Sequence, residues 1–183
     1  TARGTGDDCF AIWPATYTAQ GYAPGLNVIT HCTAQTPFLA NGGAMYGGDS
    51  NRIEDCLFQD LTYGCGILIS TTFPVGGNTF SGTTVAQRCD LIRCGGYDPG
   101  YGWRAALQLC LDTYSGGISG VNLNNLNITN SISDGLGIIG GAGTLSGAVT
   151  ANVSILNYGL GASGRNGLWA RSDAVGSLTV SNS

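Results

Sequence analysis

A short aliphatic strand pattern recurs along the whole chain and constrains its fold more than any other feature. Each occurrence opens with small or polar residues, and the opening residues, starting from Asp8, lie 33, 23, 40, 30 and 32 positions apart. These segments cover residues 8–13, 41–46, 64–69, 104–109, 134–139 and 166–171. A second series interleaves with them at 26–29, 51–53, 84–86, 121–123, 148–150 and 178–180. Each repeat therefore holds at least two short strands.

Strands at this spacing, separated by glycine-rich turns and without an amphipathic helical stretch, favour a right-handed parallel β-helix over a β-sandwich. The chain has 31 glycines among 183 residues and only 10% charged residues, which suits tight turns around an aliphatic interior. Unequal spacing is typical of loops of different length on one flank of a solenoid. We therefore predict an all-β protein of about six coils, with residues 1–183 forming one domain.

Composition excludes several functions. The net charge is −4, and the seven basic residues are all arginines, so a cationic surface for nucleic acid is not expected. No apolar stretch approaches the roughly 20 residues of a membrane span. The seven cysteines form no CxxC pair, and we expect no metal site and no cofactor. Stacked cysteines in a solenoid are more often buried apolar residues than disulfides.

The acidic pair Asp7-Asp8 stands where a glycine-containing loop passes into the first strand. Two carboxyl groups at such a place suggest sugar chemistry, because glycoside hydrolysis uses a pair of them, and Gly4 and Gly6 permit the bend that both side chains would need to face one cleft. The alternative is a turn-capping pair that binds loop amides. Asp7 and Asp8 are the catalytic candidates, and the order of their roles stays open.

Aromatic side chains are the candidates for sugar binding, because a flat apolar ring suits the face of a pyranose. Trp13 and Tyr46 have the same offset in their repeats, and Trp103 and Asp112 flank another strand. We predict that these four residues bind substrate along one side of the solenoid. Ordinary packing at strand ends is the competing interpretation.

Several segments in order resemble glycoside hydrolase family 87, which contains the α-1,3-glucanases (mutanases) and mycodextranases. They are Gly4 to Asp8 with Ala11 to Trp13, residues 37–42 with 46–48, residues 64–67, residues 91–93 with Asp98-Pro99, and residues 103–112. The resemblance covers about the first 115 residues. It implies a secreted β-helical enzyme that hydrolyses α-1,3-glucan with inversion, and that binds a neutral polysaccharide.

In that family the aspartate pair acts with a third aspartate about one coil upstream, a position that these 183 residues do not include. The resemblance therefore implies that residues 1–183 are the C-terminal part of a longer catalytic β-helix. We expect them to be inactive rather than active by themselves.

Two alternatives stay open at this stage. Polygalacturonases also carry an Asp-Asp-Cys run, but this sequence has neither Gly-His-Gly nor Arg-Ile-Lys, so a neutral glucan is the better prediction. The second alternative is a structural solenoid whose exposed end strands associate head to tail into a filament.

Overall fold

The structure is a computed structural model that describes residues 1–13, 25–72, 80–111 and 117–183. Its strands, in chain order, are β1 (Ala2–Arg3), β2 (Phe10–Ile12), β3 (Val28–Thr30), β4 (Thr33–Gln35), β5 (Gly43–Met45), β6 (Gly48–Asp49), β7 (Arg52–Glu54), β8 (Leu57–Leu61), β9 (Ile67–Ser70), β10 (Phe80–Ser81), β11 (Thr84–Cys94), β12 (Gly96–Asp98), β13 (Gly102–Arg104), β14 (Leu107–Cys110), β15 (Ile118–Ser119), β16 (Val121–Thr129), β17 (Leu136–Ile139), β18 (Thr144–Leu156), β19 (Leu168–Ala170) and β20 (Val175–Ser181).

Two parallel sheets dominate the architecture. The smaller sheet has six strands in the order β19-β17-β14-β9-β5-β2, one from each coil, and the larger sheet has ten, including the long strands β11, β16 and β18. Each strand pairs with its equivalent in the next coil. No helix occurs in the described ranges. The predicted all-β parallel β-helix of six coils is confirmed.

The register of the six-stranded sheet gives the coil lengths directly. Phe10 pairs with Gly43, which pairs with Ile67, which pairs with Leu107, and the series continues to Leu136 and Leu168. These positions lie 33, 24, 40, 29 and 32 residues apart, within one residue of the spacing read from the sequence pattern.

The main core consists of side chains that point inward from both sheets. Leu107 and Leu109 of β14 are fully buried there, as is Phe58 of the larger sheet. Successive residues of a strand point to opposite faces, so Gln108 points outward. The outer face of the six-stranded sheet carries a second apolar cluster, formed by Ala44, Tyr46, Cys65, Leu68, Cys110 and Ile139 with the partly buried Trp169 packed against it. We call it the outer cluster.

Two columns of residues with positive φ mark corners in the larger sheet. The first column holds Asp55, Arg88, Asn125 and Asn152, and the second holds Asp60, Arg93, Asn130 and Asn157. Side chains of neighbouring coils contact one another within each column. Arg forms an ion pair with Asp, and Asn forms a hydrogen bond with Asn through the side-chain amides. Asn and Asp tolerate this left-handed conformation better than most residues, which accounts for the asparagines at these turns.

The last coil leaves apolar side chains exposed. A cavity of about 260 Å³ lies between β19 and β20, and Leu168, Val175 and Val180 at its edge are each about half exposed. Covering this end would remove apolar surface from water. The described residues contain no helix that is long and apolar enough to cross a membrane.

Candidate functional site

A groove of about 350 Å³ lies on the outer face of the six-stranded sheet, with Tyr46 and Leu68 of the outer cluster in its lining. Its walls come from the first coils and from the hairpin formed by β12 and β13. The lining residues are Asp7, Leu39, Ala40, Asn41, Tyr46, Leu68, Thr72, Asp98, Pro99, Gly100, Tyr101 and Arg104. Its volume is within the range of small-molecule sites.

The two aspartates of the acidic pair have different surroundings. Asp7 is exposed and lines the groove, and its Oδ1 accepts the backbone N–H of Asp8 at 2.8 Å. Asp8 is half-buried. Its Oδ1 accepts the backbone N–H and the side-chain N–H of Asn41 at 2.9 and 2.8 Å, and its Oδ2 accepts the Tyr46 hydroxyl at 2.7 Å.

Burial raises the pKa of Asp8 above its usual value, because desolvation disfavours the charged carboxylate. The hydrogen bonds from Tyr46 and Asn41 act in the opposite direction and offset part of this effect, and the nearby Asp7 adds to it. Burial also raises the pKa of the Tyr46 phenol, and the charge of Asp8 adds to that rise, so Tyr46 stays protonated near neutral pH. Tyr46 is therefore a protonated donor to Asp8 at the edge of the groove.

Asp8 also links two coils. Equivalent links recur along the same edge of the sheet, where Asn41 Oδ1 accepts the backbone N–H of Cys65 at 2.9 Å and Asp134 Oδ1 accepts that of Asn166 at 2.6 Å. Both aspartates thus accept a backbone N–H, as the turn-capping interpretation expects, and Asp7 also presents its carboxyl group to the groove.

Trp13 and Tyr46 lie together, as their common offset predicted. Their ring centroids are 5.7 Å apart with an interplanar angle of 52°, and the Trp13 side chain is 47% exposed. Tyr46 lines the groove and Trp13 packs against it, so the pair extends the apolar surface next to Asp7.

The β12–β13 hairpin forms a wall of the groove, and none of its lining residues was a candidate site residue from the sequence. Asp98, Tyr101 and Arg104 line the groove, and of these Asp98 and Arg104 stood in segments of the family resemblance. The Pro99-Gly100 pair at its tip is a turn signal that would have located the hairpin. It is the one antiparallel pairing among the described strands.

Trp103 lies on the other face of this hairpin. It pairs with Tyr97 across the strands, with ring centroids 5.5 Å apart, and the Arg165 guanidinium lies 4.4 Å from its ring centroid. Trp103 is thus not among the residues that line the groove, whereas Tyr46 is. Asp112 falls outside the described residues.

The other reactive groups lie apart from the groove. All seven cysteines are free thiols, five of them buried. Within the described ranges no cluster of three or more His, Cys, Asp or Glu side chains is arranged to hold a metal ion. The groove chemistry available from these residues is that of carboxyl, phenol and guanidinium groups.

Comparison with known proteins identifies the fold. No protein-family model and no curated protein matches the sequence. Among solved structures, the catalytic domain of a GH87 alpha-1,3-glucanase in complex with tetrasaccharides matches with a TM-score of 0.71 and 23% identity, covering 97% of this chain and 39% of that one. A second tetrasaccharide complex of such a domain matches with a TM-score of 0.64 and 22% identity, covering 97% and 38%.

Both of these domains carry an aspartate-to-alanine substitution, and the substituted positions bear consecutive numbers. The catalytic unit of the thermostable GH87 alpha-1,3-glucanase from Streptomyces thermodiastaticus strain HF3-3 matches with a TM-score of 0.60 and 19% identity, covering 94% and 38%. The chain therefore has a glycoside hydrolase-like β-helical fold and spans about two fifths of the length of these neighbours.

Proposed function

We propose that the groove binds α-1,3-linked glucan and that Asp7 and Asp8 hydrolyse it with inversion. The observation that carries this proposal is an exposed carboxyl group, Asp7, in a groove beside a half-buried carboxyl group of raised pKa, Asp8. The fold neighbours with tetrasaccharides and with substituted aspartates at consecutive positions support the same assignment.

Inversion needs an acid that protonates the leaving oxygen and a base that activates water. Asp8 suits the acid, because a raised pKa keeps a carboxyl group protonated closer to neutral pH. Asp8 gives its proton to the leaving glycosidic oxygen as the bond to the anomeric carbon breaks, and the Tyr46 hydroxyl, which donates to Asp8 Oδ2 at 2.7 Å, stabilises the carboxylate that remains. Asp7, exposed in the groove, is the base that removes a proton from water.

Reducing-sugar release from α-1,3-glucan tests this function. We expect release by the wild-type chain, and a loss of at least about 100-fold in the Asp7→Asn, Asp8→Asn double variant, since acid–base catalysis contributes about 10² to 10⁴. Asp90→Asn is the control, because Asp90 is exposed on the larger sheet and bonds only Asn127 in the described structure.

Equal release by wild type and double variant would remove the pair from the mechanism. No release by the wild-type chain would contradict the proposal that residues 1–183 hydrolyse α-1,3-glucan, and would agree with the inactivity that the family resemblance implies. Release from polygalacturonan instead of α-1,3-glucan would favour the polygalacturonase-like alternative. Because α-1,3-glucan is a large polymer, this function also implies action outside the cell.

End-to-end association is a second candidate function, favoured by the apolar cavity between β19 and β20. A second copy stacked on that end would bury Leu168, Val175 and Val180 and pair their strands. Light scattering tests it, because the apparent molar mass of an assembling filament rises with protein concentration, whereas that of a stable monomer stays constant.

A further inference from the structure

We propose that Tyr101 and Arg104, on the β12–β13 hairpin, form a hexose-binding subsite in the wall of the groove that also holds Asp7. This inference rests on the proposed function of the groove, since it names the residues that would hold the sugar there. Neither residue was a candidate site residue from the sequence, and contacts within the hairpin hold both of them at the groove.

Arg104 has unused hydrogen-bonding capacity at the groove. Its side chain is only 6% exposed, and a guanidinium carries five N–H donors. Its one hydrogen bond in the described structure is a weak one, from Nη1 to Cys110 Sγ at 3.6 Å. Among the described residues no carboxylate oxygen lies within 4.0 Å of it. None of its other guanidinium nitrogens is a buried atom without a partner, so in the described structure these donors reach solvent at the groove, where a ligand can accept from them.

Tyr101 provides a fixed aromatic surface next to these donors. Its side chain is 53% exposed, and the Arg104 guanidinium lies 4.5 Å from the ring centroid, a cation–π contact. The backbone is held as well, because Asp98 Oδ1 accepts the N–H groups of Gly100 and Tyr101 at 2.7 and 3.2 Å. An ordered ring loses little conformational entropy when a sugar stacks on it.

The charges in the groove indicate which sugar fits. The hydroxyl groups of a hexose can accept from Arg104 and donate to the Asp7 and Asp98 carboxyl groups, which line the same groove. Two carboxyl groups against one guanidinium disfavour a sugar that carries its own carboxylate. The subsite therefore suits a neutral hexose with its apolar face on Tyr101.

Tyr97 provides a matched control for Tyr101. It lies in the same hairpin and is also 53% exposed, but it packs on Trp103 at the opposite face. Isothermal titration with an α-1,3-linked glucotetraose, in an Asp8→Asn background that blocks turnover, compares the two. We expect Tyr101→Ala to weaken binding about 5- to 10-fold, the range of one aromatic contact, and Tyr97→Ala to leave it unchanged.

Arg104→Lys is the second variant, since it keeps the charge but loses the planar set of donors. We expect it to weaken binding about 10-fold. If this variant fails to fold, the Tyr101 comparison still decides the proposal. Unchanged affinity in Tyr101→Ala, an equal loss in Tyr97→Ala, or no binding by the parent protein would overturn the subsite.

The hydrolysis assay separates this inference from the function on which it rests. If the chain binds the tetrasaccharide through Tyr101 but releases no reducing sugar, the subsite stands and the hydrolase proposal fails. If the chain hydrolyses α-1,3-glucan and Tyr101→Ala keeps the wild-type KM, the hydrolase proposal stands and the subsite is overturned.

Discussion

Replacing Tyr46 with phenylalanine tests the electrostatic account of the acidic pair. The substitution removes only the hydroxyl that donates to Asp8 Oδ2 at 2.7 Å. A hydrogen bond to a charged group contributes about 1.5–3 kcal/mol to stability, and one between neutral groups contributes about 0.5–1.5 kcal/mol. The cost of Tyr46→Phe therefore depends on whether Asp8 is ionised.

The expected pH dependence follows from the direction of the Asp8 pKa shift. Burial already raises the folded-state pKa of Asp8 above its ordinary value of 3.8, and the Tyr46 hydrogen bond lowers it. Loss of that bond raises the pKa further, so the folded variant holds its proton more tightly than the unfolded chain does. Stability is then retained below the ordinary value and lost as pH rises through the folded-state pKa.

Urea unfolding at pH 7 and at pH 3 measures the free energy of unfolding that the substitution removes when Asp8 is ionised and when it is protonated. We expect Tyr46→Phe to lower the free energy of unfolding by about 1.5–3 kcal/mol at pH 7 and by about 0.5–1.5 kcal/mol at pH 3. Tyr63→Phe is the control, because Tyr63 is 41% exposed and has no hydrogen bond to its hydroxyl in the described structure. An equal loss at both pH values, or a larger loss at pH 3, would refute the reasoning.

Three further substitutions test the fold by the same urea titration. Phe58→Ala should cost about 3–5 kcal/mol, because Phe58 is fully buried in the main core, and a loss below about 1 kcal/mol would contradict that packing. Gly64→Ala should cost about 1–3 kcal/mol, since its added Cβ would clash with the Ala40 carbonyl oxygen, and an unchanged midpoint would contradict this close approach. Arg88→Ala should leave the midpoint unchanged, because its ion pair with Asp55 is exposed to solvent, and a marked loss would contradict that assignment.

The strand pattern predicted most of the fold because inward aliphatic positions repeat once per coil. It did not predict where strands of the larger sheet are interrupted. In one coil a bend at Asp55 separates β7 from β8, whereas in the next coil β11 runs unbroken past the equivalent position. In β11 the equivalent residue with positive φ is Arg88, and arginine has no preference for the left-handed conformation that a sequence could reveal. Such corners depend on stacking between coils, which a single sequence does not display.

The candidate site was predictable in position but not in orientation. Of the four residues Asp7, Asp8, Trp13 and Tyr46, the first and the last line the groove, and the other two contact Tyr46. Which carboxyl group faces the groove depends on Asn41, 33 residues away, whose two N–H groups hold Asp8. The opposite wall could not be predicted from the strand pattern. It belongs to the hairpin that carries Tyr101, whose antiparallel pairing is not part of the solenoid repeat.

The position of the saccharide on the solenoid tests the central claim most directly. Another cavity, of about 370 Å³, lies on the outer face of the larger sheet and is lined by residues that include Gln87 and Asn124, so the chain offers a rival site. Backbone amide shifts during a titration with α-1,3-linked glucotetraose distinguish the two. We predict that the shifts concentrate at Asp7, Asn41 and Tyr101, whereas shifts confined to Gln87 and Asn124, or none at all, would contradict the assignment of the groove.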